Sequence, residues 1–207
     1  MSNGNIMREP DWFALYVRVR HERVIETQLT NKGFETFLPS YAVSHQWADR
    51  RKVLHLPLFP GYVFCRFGSN ERGAILGTRG VVRIVGAGSD PSPVDCAEIQ
   101  ALQLAINAGL PCEPMPFMEV GEWIRIDSGP LSGVEGVLLQ KKDRGLLVLS
   151  ITLLQRSVSV EVDPSEIELT RIERRKNVAR AGDCNGNQVG LPAAPSARNR
   201  TNVPMLR

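Results

Sequence analysis

Three histidines, four cysteines and one glycine-rich turn are the residues of this chain from which a reactive or metal-binding site could be assembled. His21, His45 and His55 fall at a helix start and in loops. None has the HxxxH spacing that sets two imidazoles on one helical face, and none neighbours a GxSxG elbow. Cys65, Cys96, Cys112 and Cys184 contain no CxxC pair, so their spacing fits neither a zinc site nor a disulfide framework, and buried free thiols are expected. Cys65 sits mid-strand, where an attacking sulfur would be hemmed in. Gly129-Pro130-Leu131-Ser132-Gly133 lacks the Lys-Ser/Thr and the following helix of a phosphate loop, and its glycines read as turn positions. The expectation is a non-enzyme with no catalytic residue, no metal and no cofactor.

Two other groups have binding chemistry. Arg18, Arg20, His21 and Arg23 cluster where the first strand enters the first helix. Unpaired N–H groups at a helix start favour anions, and the cations add to that. The second group lies in PLFPGYVFCRF, residues 57–67, where a Pro-Gly turn leads into a strand. Alternation places Val63, Cys65 and Phe67 on one face and Tyr62, Phe64 and Arg66 on the other. Both faces are apolar, and the second ends in an arginine. One face must pack the domain's helices. An aromatic second face edged by charge, with Phe59 beside it, reads either as a partner surface or as a face covered by another helix of the same domain, and the partner surface is favoured because the expected helices are few. Arg50, Arg51 and Lys52 precede it as a basic excursion open to a polymer backbone, a protein acid or solvent.

The elements that position these residues begin with a strand at Trp12–Arg20. A helix follows with Val24, Ile25 and Leu29 as its stripe and Gly33 as its stop. Phe34–Leu38 form a strand that residues 41–47 extend. Asn70 is placed to cap a helix over Glu71–Thr78, and Val81–Val85 form a strand. Asp95 and Glu98 have capping-box spacing before a stripe of Ile99, Leu102 and Ile106. This order predicts an α+β domain over 11–110 after a flexible start, 1–10. A Pro-rich linker, 111–117, leads to short strands and tight turns over 118–170, the pattern of a small barrel. A unit of that size is marginal alone and leans on partners. A basic disordered tail, 171–207, closes the chain. Charge is uneven: residues 1–110 carry +2, residues 111–170 carry −5 and residues 171–207 carry +6. Contact with nucleic acid must therefore be local. No window has the apolar length of a membrane span, and the start lacks a secretory pattern. A cytoplasmic protein, monomeric and without a membrane partner, is expected.

WFALYVRVRHER, LFPGYVF, TRGVVRIVG and GEWIRIDSGPLSGVEGVL…LLQRSVSVEVD together resemble the NusG family of transcription elongation factors, over residues 12–169. HERVIETQL, the run into LFPGYVF and LLQRSVSVEV look most like the specialised UpxY/RfaH-type paralogues. The resemblance implies an NGN domain, a four-stranded antiparallel sheet flanked by helices, followed by a KOW domain folded as an SH3-like β-barrel. It implies that Tyr16, Phe59, Tyr62 and Phe64 dock on the clamp helices of the largest catalytic subunit of RNA polymerase, suppressing pausing and termination. It sets Arg18, Arg20, His21 and Arg23 near non-template DNA. Leu154, Gln155 and Arg156 fall in the barrel loop through which the family meets Rho or a ribosomal protein, and stand where the housekeeping proteins have Phe-Gly-Arg. Gly73-Ala74-Ile75 stand where the RfaH branch has His-Thr-Thr. The implied role is an operon-specific antiterminator. A housekeeping factor coupling polymerase to Rho or the ribosome, or a KOW-type RNA- or ribosome-binding protein without polymerase contact, are the alternatives. Ile151, Val158, Val160 and Val162 favour strands, so the barrel is expected to be β and not helical.

Overall fold

The computed structural model describes residues 10–46, 51–87, 90–117, 121–141, 144–163 and 168–172. The expectations for the flexible start, for Arg50 and for the tail beyond 172 lie outside these residues.

The first part contains β1 (Trp12–Val17), α1 (Glu22–Asn31), β2 (Glu35–Phe37), β3 (Ser40–Gln46), β4 (Arg51–Pro57) and β5 (Tyr62–Arg66). It continues with α2 (Arg72–Leu76), β6 (Val81–Ile84), β7 (Gly86–Ala87), β8 (Asp90–Pro91), β9 (Pro93–Val94) and α3 (Cys96–Asn107). Its main sheet has the order β2-β5-β1-β6, all antiparallel, with β9 added beside the start of β1. The register of β1 on β5 sets Ala14 opposite Phe64 and Tyr16 opposite Tyr62 on one face. Leu15 opposite Val63 and Phe13 opposite Cys65 share the other.

Each face has its own core. Leu15, Val17, Val63, Cys65 and Phe67 bury against Ile25 and Leu29 of α1 and Ile75 of α2. Trp12, Ala14, Phe59 and Phe64 bury in a cluster with Ile99, Leu102 and Ala105 of α3. Gly33, at φ +90°, turns the chain out of α1, and the Phe34 N–H returns to the Leu29 carbonyl. Val24 departs from the expected stripe. It is 54% exposed, because Ile25 and Leu29 with Glu22 face the sheet.

Two local expectations are also corrected. Residues 41–46 do not extend β2 but form most of β3, the first strand of a hairpin whose second strand, β4, takes up the described part of the basic excursion, with Val43 opposite Leu54. The helix expected over Glu71–Thr78 is a 3-10 turn, Ser69–Glu71, followed by the short α2. Within α2, Gly73 and Ala74 are exposed and Ile75 is buried.

The second part contains β10 (Cys112–Pro116), β11 (Glu122–Ile126), β12 (Glu135–Lys141), β13 (Arg144–Ile151), β14 (Arg156–Val162) and β15 (Leu169–Arg171). They form one antiparallel sheet in the order β10-β14-β13-β12-β11-β15 around Ile124, Ile126, Leu147, Leu149, Ile151, Val158 and Val160. The expected linker over 111–117 supplies the edge strand β10, pairing Cys112 with Val160 and Pro116 with Arg156. Prolines fit there because an edge strand leaves one row of N–H groups unused. Gly129 and Gly133, at φ +86° and +85°, make the turn after β11.

Leu29→Ala should cost about 2–5 kcal/mol of stability in urea denaturation followed by circular dichroism. Val24→Ala, on the same helix but exposed, should cost under about 0.5 kcal/mol.

Candidate functional site

The residues with reactive potential do not converge. His21 and His55 are exposed, on α1's approach and on β4 respectively, and the side chain of His45 is outside the described residues. Among the described residues no group of three or more His, Cys, Asp or Glu is placed to hold a metal ion. Cys65 and Cys112 are free and buried. Cys96 is disulfide-bonded, against the expectation of a free thiol. Burial pushes the Cys65 thiol up to about 12, with Glu71 and Glu35 adding to it, so little thiolate exists at neutral pH.

The aromatic residues do converge. Tyr16 and Tyr62 are neighbours across β1–β5, their rings 5.5 Å apart and tilted by 57°. Phe59 meets Phe64 edge-on at 5.7 Å, and Phe37 of β2 adds a ring at 6.2 Å from Phe64. Arg66 ends the row. Its guanidinium lies 4.9 Å from the centre of the Trp12 ring and pairs with Glu35 at 3.1 Å. A charge at this position is thus stacked and neutralised where the face meets solvent.

The turn that carries Phe59 into Tyr62 is pinned from below. Glu22, buried in the first turn of α1, accepts the Gly61 N–H at 2.8 Å, and the Gly61 carbonyl accepts from the Val17 N–H at 2.8 Å. Gly61 has φ +82°, and a Cβ there would meet Tyr16 and Val19 at 3.4 Å. Only glycine takes this conformation cheaply while leaving room for the tyrosine.

Phe59 and Phe64 are not on the surface, as a free partner face requires. They are 1% and 0% exposed, whereas Tyr16 and Tyr62 are half-buried. The cover has two parts. α3 lies over part of the face, and the core cluster then runs on without a break into Leu149, Ile151 and Val158 of the second unit. Leu153 and Leu154 pack against the same cluster. Arg156 sits 5.9 Å over the Tyr62 ring, and Arg83 of β6 sits 5.4 Å over Tyr16. Glu98 does not complete the expected capping box. Asp95 caps α3 through the Ala97 N–H at 2.9 Å, but the Glu98 carboxylate reaches the other unit and accepts from the Thr152 N–H and hydroxyl. Of the barrel loop, Leu154 is half-buried, Gln155 is exposed in a left-handed conformation (φ 51°), and Arg156 stacks on Tyr62.

The basic cluster divides. Arg18 and His21 line an open groove of about 600 Å³ between α1 and the start of β6, with Gln28, Arg79, Val24 and Val82. Arg20 and Arg23 are exposed but do not line it. Arg20 has φ 66°, a left-handed turn that lets the chain leave β1 for α1. Arg79 was missed from sequence. Only the long-range bond of the Arg18 N–H to the Gly80 carbonyl, 2.9 Å, brings it beside Arg18.

Comparison with known proteins agrees with these observations. A family model described as transcription termination factor NusG matches residues 10–103. The chain is 25% identical over 187 residues to the transcription termination/antitermination protein NusG of Deinococcus radiodurans, covering 76% of this chain and 97% of that protein. It is 28% identical over 140 residues to the Escherichia coli protein of the same name, covering 65% of this chain and 77% of that one. A solved structure of Thermotoga maritima NusG is similar with a TM-score of 0.48 and 18% identity, over 80% of this chain and 98% of that chain. The α+β domain with its four-stranded sheet is thus an NGN domain, followed by a C-terminal β domain. Over residues 10–103 the chain matches the NusG family of transcription factors.

In native protein at pH 8, Cys65 should resist iodoacetamide, and it should alkylate once urea exposes it. Mass spectrometry of the peptide spanning Cys65 reads the difference. Modification of the native protein at the rate of a free thiol would contradict the inert, buried thiol described above.

Proposed function

We propose that the protein binds RNA polymerase through the aromatic face around Tyr16 and Tyr62, over Phe59 and Phe64, and so suppresses pausing and termination. The observation that carries this reading is the aromatic cluster on the β1–β5 face of a NusG-family domain, built on a turn held by Glu22 and Gly61. Clustered aromatic rings edged by cations are what protein-binding hot spots are made of. The polymerase element that fits is the pair of clamp helices of the largest catalytic subunit. Binding energy available only in the closed clamp shifts the enzyme away from paused states. The groove lined by Arg18, His21 and Arg79 then faces the displaced non-template strand, with Arg20 and Arg23 at its border. We read the action as operon-specific, because the loop that would meet Rho or a ribosomal protein, Leu154–Arg156, lies against the first domain. The −5 charge of residues 111–170 disfavours a barrel that grips RNA.

Core RNA polymerase at physiological salt, with NusG as competitor, tests the main surface. Wild type should bind competitively, and Tyr62→Ala should lose affinity by about 2 kcal/mol, the scale of a truncated hot-spot aromatic. Equal binding by the folded variant would remove Tyr62 from the interface. For the groove, Arg79→Ala should lower affinity for single-stranded DNA evenly across sequences and reduce the salt slope by about 1. An unchanged slope would take Arg79 out of the contact.

A further inference from the structure

Lys32 closes the C-terminal end of α1 and lies outside both apolar clusters. It continues the helical stripe of His21, Ile25 and Gln28 by one more turn, yet it does not line the groove with them. Its ammonium is directed to the end of α2 instead. There it donates to the Thr78 hydroxyl at 2.6 Å and to the Ala74 carbonyl at 3.1 Å. The Thr78 hydroxyl donates to the same carbonyl at 3.1 Å, and Thr78 is 3% exposed. A helix leaves its last carbonyls without helical partners, and α2, Arg72–Leu76, is so short that this concerns most of it. A cation and a buried hydroxyl on the Ala74 carbonyl satisfy that end and suit its dipole.

The turn after α2 carries Arg79. The Thr78 carbonyl accepts from the Val81 N–H at 3.1 Å, so Thr78 and Val81 are its ends, and Arg79 and Gly80 its centre. Of the two central residues only Gly80 has positive φ, +97°, the pattern of a type II turn. The far end is held by the Arg18 N–H on the Gly80 carbonyl, and by Ile25, whose side chain lies 2.9 Å from where a Cβ on Gly80 would stand. The near end is held by Thr78, and the Thr78 side chain is held by Lys32. We propose that Lys32 is a positioning residue for the groove: through Thr78 it sets the 78–81 turn and so keeps Arg79 beside Arg18, without itself touching the nucleic-acid strand. The part in strand binding rests on the groove reading given above; the hold on the turn does not.

Such a hold matters because Arg18 and Arg79 are like charges on two separate segments, and a loose turn would let them part. A turn fixed before binding also spares the strand the cost of ordering it. The rival role for Lys32 is a direct charge on the strand. Against it, the ammonium already spends donors on two acceptors at the end of α2. Thr78→Val separates the two roles, because it removes the hydroxyl through which Lys32 acts and leaves every charge in place.

Affinity of the full chain for single-stranded DNA is measured across a range of salt for wild type, Lys32→Met, Lys32→Arg, Thr78→Val, Arg79→Ala and the double variant of Lys32→Met with Arg79→Ala. Hydrogen exchange at the Val81 amide is followed on the same proteins without DNA, and circular dichroism checks that each is folded. Lys32→Met and Thr78→Val should each weaken binding and reduce the salt slope by about 1, as Arg79→Ala does. Both should also speed Val81 exchange. The double variant should bind no worse than Arg79→Ala alone, since residues that act through one another are not additive. Lys32→Arg, which keeps the charge and the donors, should restore binding and slow exchange. A loss in Lys32→Met that adds to that of Arg79→Ala, with Thr78→Val binding like wild type, overturns the positioning role and makes Lys32 a direct contact. Val81 exchange unchanged in Lys32→Met and Thr78→Val overturns the hold on the turn. A wild type that does not bind DNA, or that Arg79→Ala matches at every salt, overturns the groove reading and the part of Lys32 in it, while Val81 exchange still decides the hold on the turn.

Discussion

The pairing of β1 with β5 makes a sheet that is apolar on both faces, and such a sheet needs two covers. α1 and α2 supply the first, locking Leu15, Val63 and Cys65 away from water. α3 supplies part of the second through Ile99, Leu102 and Ala105, and the same cluster continues into Leu149, Ile151 and Val158 of the second unit. Each exposed aromatic left over would forgo roughly 1.5–3 kcal/mol of burial. The barrel completes the cover. It also gains by doing so, since a unit this small buries too little of its own surface to be secure by itself.

The polar groups around this face follow from that shortage of cover. Glu22 is buried because the Gly61 N–H, turned inward by a left-handed residue, has no strand partner and must be satisfied. Arg66 is stacked and paired because the strand that carries it runs out of the apolar zone at its last residue. Arg156 and Arg83 stack over the two tyrosines. None of the three arginines is fully buried. Each is placed where apolar cover ends, and together they fix how the rings lie.

Much of this was legible in residues. Alternation in Tyr62–Arg66 assigned the faces correctly, and the two clusters divide along that line. The β-branched runs at Ile151 and Val158–Val162 gave strands, as they stand. What failed was information that local sequence does not hold. Residues 41–57 read as a strand and a basic excursion because a hairpin depends on cross-strand pairs such as Val43 with Leu54. Prolines made 111–117 read as a linker, but an edge strand tolerates them. Glu98 matched a capping box by spacing, and tertiary contact overrode that local option. Arg79 is sixty-one residues from Arg18, and only the packing of β6 beside β1 joins them.

The covered face sets a constraint on how strongly the two domains can hold one another. A partner that needs the uncovered state binds with an affinity reduced by the fraction of molecules already open. Apolar contact alone cannot tune this, because the same rings would serve either occupant and any gain for one is a gain for both. The tuning has to come from groups that differ between the two situations. Glu98 and Arg156 are such groups: Glu98 has its hydrogen-bond partners only in the docked barrel, and Arg156 is itself part of that barrel. Directional polar contacts at the rim of an indifferent apolar surface are therefore the part of this cover that depends on which group supplies it.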